Sequence, residues 1–156
     1  MPPSLAIIDP IDRAERELLT AEQVDIPVEH TFSPGLYVRT VRMPAGALVL
    51  GHRHREETLN FMMSGKLMVV VDGVCKVLTA PCILPSAAGT RKAAIIIEEV
   101  IWTNVHPNPD NETDIDKLEN RYIEKSDAFL EFETKEMAAL KAAHSTPETI
   151  LWHGSQ

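Results

Sequence analysis

His52 and His54, one residue apart, are the residues of this chain best placed to do chemistry. On a β-strand successive side chains point to opposite faces, so residues two apart share a face and can converge on one ion. Neutral imidazole suits Fe, Mn, Ni, Cu or Zn, and an added carboxylate shifts the preference toward the harder ions. Glu57 is the nearby candidate. If a strand begins at Thr58, then Thr58, Asn60 and Met62 share one face, and Glu57 falls with Leu59 and Phe61 on the other unless a bulge turns it inward. The charged neighbours Arg53, Arg55, Glu56 and Glu57 also admit a plainer alternative, a solvated loop edge.

The elements that must position this pair read as mainly β. The 156 residues have the length of one domain. From Val28 to Ile101 the chain alternates short β-branched and apolar runs with Pro and Gly, the pattern of an all-β sandwich or barrel. Candidate strands are 35–43, 47–54, 59–63, 66–71, 75–79, 82–84, 91–97 and 100–106, enough for a jelly roll. Turns are expected at Pro44 to Gly46, Ser64-Gly65, Asp72-Gly73 and Ala80-Pro81. The Asp-Gly pair is a tight hairpin signal, because a type I′ turn needs positive φ at both central residues. A short helix is expected in 10–23. Another begins behind Asn111 and Thr113, carrying Ile115, Leu118, Tyr122 and Ile123, and a third is capped by Ser126. The organisation is thus an N-terminal segment 1–27, a barrel 28–107 and a helical extension 108–156.

A net charge of −8 argues against a nucleic-acid partner, which calls for a basic face. The apolar runs Leu67 to Val71 and Ala93 to Ile97 are far shorter than the roughly 20 residues of a membrane span, and the N-terminal stretch lacks the basic region of a secretory signal, so a cytoplasmic location is expected. Cys75 and Cys82 match no C-x-x-C pattern and read as reduced structural residues. Gly-x-Ser-x-Gly, P-loop and Rossmann fingerprints are absent.

Gly46, His52, His54 and Gly65 stand in the register of the first motif of the cupin superfamily, and residues 35 to 106 resemble that family. The resemblance implies a small antiparallel jelly-roll barrel whose lumen holds a divalent ion on two histidines, a glutamate and a later histidine. Counted back from Gly65, the glutamate slot falls on Thr58, with Glu57 one residue short. In the second motif, Pro85 to Gly89, the position of the later histidine holds Lys92. A protonated lysine has no lone pair for a metal, so Lys92 either pairs with an anionic ligand in the lumen or lies on the surface. His106, ending the last strand, is either the replacement third ligand, in a polar rim with Thr58, Asn60, Trp102 and Asn104, or a strand-end cap before Pro107.

Two functions follow. One is a metal-binding cupin using His52, His54, His106 and Glu57, with Thr58, Asn60 and Lys92 toward a small ligand, and dioxygenase, isomerase or lyase chemistry if it is an enzyme. The other is a non-enzymatic cupin-shaped binding or assembly protein with an incomplete site, resembling small cupin-like proteins of phages and bacteria. A homodimer is expected in either case, since unpaired sheet edges are a liability. The segment Glu148 to Trp152 is an apolar patch expected to dock on the barrel or a partner.

Overall fold

A computed structural model describes residues 10–144. They fall into two units, 23–124 and the pairing of the segments before 23 and after 124. The apolar segment Glu148 to Trp152 lies outside the described residues.

The larger unit is an antiparallel roll built on two long strands. Strands β1 (Val28–Ser33), β2 (Gly35–Met43), β3 (Leu48–Leu50), β4 (Arg53–His54), β5 (Thr58–Val71), β6 (Val74–Thr79), β7 (Cys82–Ser86) and β8 (Lys92–Asn108) precede helix α2 (Ile115–Tyr122) and the short β9 (Ile123–Glu124). The main sheet runs β1-β2-β8-β5-β6, with β3 on β8 and β7 on β5, while β4 pairs with β9. This is the antiparallel roll expected from the sequence, completed by helices on either side of it in the chain. In the second unit, α1 (Pro10–Leu18) accompanies α3 (Asp127–His144). Ser126 caps α3 by accepting from Phe129 N at 3.1 Å, and its hydroxyl donates to Glu15 at 2.7 Å. No helix of the described residues is long and apolar enough to cross a membrane.

Several elements differ from the sequence reading for definable reasons. Ser64-Gly65 is not a turn: β5 runs through it, and the β5–β8 register shifts between Met62 and Leu67. Gly65 has φ +90°, and a Cβ there would collide with the Glu99 carbonyl. The glycine therefore permits a bulge at which one long strand bends instead of ending. The predicted strands 91–97 and 100–106 are likewise one strand opposite that bend. The predicted strand 47–54 splits into β3 and β4 around Gly51 and His52. β1 is a further strand, and the N-cap of α2 is Asp114, which accepts from Asp116 N and Lys117 N. Asp72 and Gly73 have φ of 49° and 75°, as the hairpin signal requires.

The core of the roll is Val41, Met43, Ala47, Met62, Leu67, Val69, Ile96, Val100 and Trp102. A second cluster of Tyr37, Leu118 and Tyr122, flanked by Ile115, packs α2 against the barrel. The apolar spacing of α2 seats one face of the helix there. Its approach is held by Arg121, whose guanidinium donates to both oxygens of Asp110 at 2.9 and 2.8 Å, and by the Tyr122 hydroxyl donating to the Pro107 carbonyl.

Candidate functional site

Strand register stacks inward side chains into three rows across β2, β8, β5 and β7. Val41, Trp102, Met62 and Cys82 form the apolar row. Arg39, Asn104, Asn60 and Leu84 form the next. Tyr37 and His106 are opposite one another in the third, which Thr58 and Ser86 continue. Each row follows from the two-residue alternation of four strands in one register.

The rows enclose a cavity of about 330 Å³. Its apolar lining includes Ile26, Val41, Met43, Val49, Leu67, Val69, Ala94 and Trp102. Its polar lining comprises Arg39, His52, His54, Asn60, Lys92, Asn104, His106 and Glu119, with the hydroxyl-bearing rings of Tyr37 and Tyr122. The chain thus brings five of the seven candidate residues to one lumen: His52, His54, His106, Asn60 and Lys92. Thr58 is buried behind them and does not line the cavity. Glu57 is exposed and does not line it either, because regular alternation begins at Thr58 and the bulge of β5 lies further along.

Thr58 positions His54. Its hydroxyl lies 3.0 Å from His54 Nδ1 and donates to the Glu56 carbonyl at 3.3 Å. The hydroxyl contact at Nδ1 fixes the orientation of the His54 ring and leaves Nε2 free of that contact. The backbone around His54 is tied down by Gly89 N donating to its carbonyl at 2.8 Å, and by Arg55, whose backbone N–H donates to the Tyr122 carbonyl and whose Nε donates to the carbonyls of Asn120 and Ile123. The C-terminal turn of α2 therefore anchors the loop carrying the histidine pair.

His106 sits in a train of stacked rings. It lies 4.4 Å from the Tyr122 ring, 5.7 Å from Tyr37 and 6.1 Å from His54, all within about 21° of parallel. Tyr37 in turn meets His30, whose Nδ1 is 2.7 Å from the phenol oxygen. Burial holds the His106 pKa down to about 4, aided by His54 and the Arg39 guanidinium. Burial, then Lys92, Arg39 and His52, hold His54 down to about 4. Both imidazoles are neutral at pH 7. Burial also lowers the Lys92 pKa and raises that of the Tyr37 phenol, the latter opposed by Arg39 and assisted by Glu119.

Between the ring train and the apolar row lies a closed amide relay. Asn104 Nδ2 donates to Asn60 Oδ1, and Asn60 Nδ2 donates to the Leu84 carbonyl and the Ser86 hydroxyl, both at 2.8 Å. Buried amides so satisfied are rigid, whereas one left without a partner is costly.

The arrangement does not fit a resident divalent metal. Among the described residues no group of three His, Cys, Asp or Glu side chains is placed to hold one. The slot expected for a carboxylate holds Thr58, engaged with His54, and Arg39 and Lys92 bring positive charge into the same lumen. Arg39, Tyr37, Tyr122 and Glu119 were not singled out from the sequence. Arg39 and Tyr37 had a signal, since they alternate with Val41 and Met43 on one face of a predicted strand. Tyr122 and Glu119 had none, because only packing brings α2 to the lumen.

No family model matches the chain, and no curated protein matches it. Solved structures with a similar course include KdgF from Halomonas sp., 18% identical, covering 57% of this chain and 88% of that one with a TM-score of 0.46. A cupin superfamily protein from Desulfitobacterium hafniense is 14% identical over 59% of this chain and 85% of that one, TM-score 0.46. An RmlC-like cupin with a double-stranded β-helix fold from Methanocaldococcus jannaschii is 13% identical over 57% and 86%, TM-score 0.46. By its own strand order and register, the unit of residues 23–124 is an antiparallel roll with two long bent strands around a lumen, the mainly β jelly-roll class expected from the sequence.

Proposed function

We propose that this protein binds a small molecule in the lumen of its roll without requiring a metal ion. The observation that carries this reading is the 330 Å³ cavity itself, apolar toward Trp102 and polar toward the histidines. Its size falls at the lower end of the roughly 300–1,000 Å³ typical of small-molecule sites, and its mix of apolar walls with a few convergent polar groups is what such sites use. His54 supplies a ring oriented by Thr58, and the neutral imidazole of His106 supplies a flat wall.

Ligand-observed NMR with a fragment library tests this. Fragments bind the intact protein and are excluded from an Ala94→Trp variant whose lumen is filled. Absence of lumen binding by the whole library overturns the reading.

The metal-bearing alternative is favoured by one observation, three imidazoles lining one cavity. Metal analysis of untagged protein beside a His52→Ala/His54→Ala variant decides between the two. Equal metal content supports our reading, and a histidine-dependent stoichiometric ion replaces it.

A second copy of the chain is the partner we propose. Register places Leu48, Ile95, Met68 and Val77 in one outward row across β3, β8, β5 and β6. Leu48, Ile95 and Val77 are 49%, 49% and 55% exposed. A contiguous apolar sheet face of this kind is what a self-complementary interface covers.

A further inference from the structure

The charges of the lumen define what kind of molecule it would take. Arg39 and Lys92 line it as cations, and Glu119, on α2, is the one carboxylate among the described lining residues. Among the described residues neither Arg39 nor Lys92 forms an ion pair. The two cations arrive from different strands, Arg39 from the middle of β2 and Lys92 from the first residue of β8, and both act electrostatically on His54. Two half-buried cations thus line the cavity that His54 and His106 also line. Cations partly withdrawn from water need a counter-charge, and the described lining residues offer one carboxylate for the two.

We infer that the lumen ligand is an amphipathic monocarboxylic acid, its carboxylate held between Arg39 and Lys92 and its apolar body lying on Val41, Met43, Leu67 and Trp102. This rests on the lumen being a binding site. The placement of the two ends follows from register: Arg39 and Asn104 are opposite one another, and the next inward row toward the floor is Val41 and Trp102. An acid lying along β2 and β8 thus passes from guanidinium to apolar wall within one alternation of the strand.

A carboxylate suits this site better than a phosphate. The guanidinium fork matches a carboxylate with two parallel hydrogen bonds, and a single lysine completes the charge. A phosphate dianion calls for a cluster of backbone N–H donors or a helix N-terminus. The helix at this lumen instead contributes Leu118, Glu119 and Tyr122, with no side chain or backbone N–H from its first three residues among the lining. A carboxylate from that helix disfavours an anion beside it and leaves Arg39 and Lys92 as the anion's partners.

The test pairs hexanoate, phenylacetate and 3-phenylpropanoate with their primary amides, which keep the shape and lose the charge. Binding is measured by titration calorimetry on the full chain, and the location is read from the side-chain amide signals of Asn60 and Asn104. At least one acid is expected to bind about tenfold or more tightly than its amide, as a desolvated charge-assisted contact implies. Arg39→Gln and Lys92→Met, examined separately, each narrow that ratio while leaving amide binding in place. Acids and amides binding alike overturn the anion assignment and leave the lumen site standing. A ratio unchanged in both variants places the anion elsewhere and overturns it as well. No binding of either series, with Asn60 and Asn104 unmoved, removes the lumen reading along with it. Should one variant fail to fold, the wild-type ratio and the other variant carry the decision.

Discussion

Acid destabilises this barrel through His106. The residue is 5% exposed, stacked between Tyr122 and Tyr37, and its pKa is held at about 4 in the folded protein against an ordinary 6.5. Because the folded value is the lower one, the unfolded chain takes up the proton first. Stability is therefore complete above about pH 6.5, is lost as the pH falls toward 4, and changes no further below that through this group. At pH 5 the unfolded imidazole is almost fully protonated and the folded one scarcely so, which amounts to about 2 kcal/mol relative to pH 7. His54 titrates in the same window, but it is coupled to His106, so the two losses do not add. The assay is urea unfolding at pH 7 and pH 5 for the wild type and for His106→Phe, which keeps a ring in the stack and removes the proton site. Carboxylate titrations common to both proteins cancel in the comparison. The wild type is expected to lose about 2 kcal/mol more than the variant over that interval. Equal losses, or an NMR titration midpoint for His106 near 6.5, would refute the reasoning.

Further outcomes follow from other parts of the fold. Gly65→Ala, by setting a Cβ against the Glu99 carbonyl at a positive φ, is expected to lower the unfolding free energy by about 2–4 kcal/mol, measured by urea titration; an effect below about 0.5 kcal/mol contradicts the bulge geometry. Asn104→Leu leaves the Asn60 carbonyl oxygen without its buried donor and should cost about 1–3 kcal/mol, whereas the paired change Asn60→Leu/Asn104→Leu should cost less than the two single changes added together. Sedimentation equilibrium should report a dimer that Ile95→Lys converts to monomer; a monomeric wild type removes the proposed interface.

The legible part of this protein was its periodicity. Alternation in 58–62 placed Thr58, Asn60 and Met62 on one face and left Glu57 on the other unless a bulge turned it, and the bulge of β5 lies further along the strand. Asp72-Gly73 was readable because its turn has a narrow chemical requirement. Ser64-Gly65 was misread for the opposite reason: a glycine at positive φ serves a bulge as well as a turn, and the neighbouring strand decides which. The placement of Lys92 in the lumen was open in the sequence, since a lysine at a strand start is as much at home on the surface.

By itself the sequence determined that the chain is a roll of antiparallel strands, that Thr58, Asn60 and Met62 share a face and that His52 and His54 belong together, because those depend on local alternation and turn chemistry. Only the tertiary structure decided what the lumen contains. It brought Arg39, Lys92, Tyr122 and Glu119 to the same cavity from β2, β8 and α2, residues up to 83 positions apart in the chain, and it moved Thr58 from the ligand slot to a support for His54. The physical reason is that charge balance and burial are properties of groups assembled across strands. The histidine pair that stood out in the sequence lines a lumen it shares with Arg39 and Lys92, two cations that no local pattern could have brought together there.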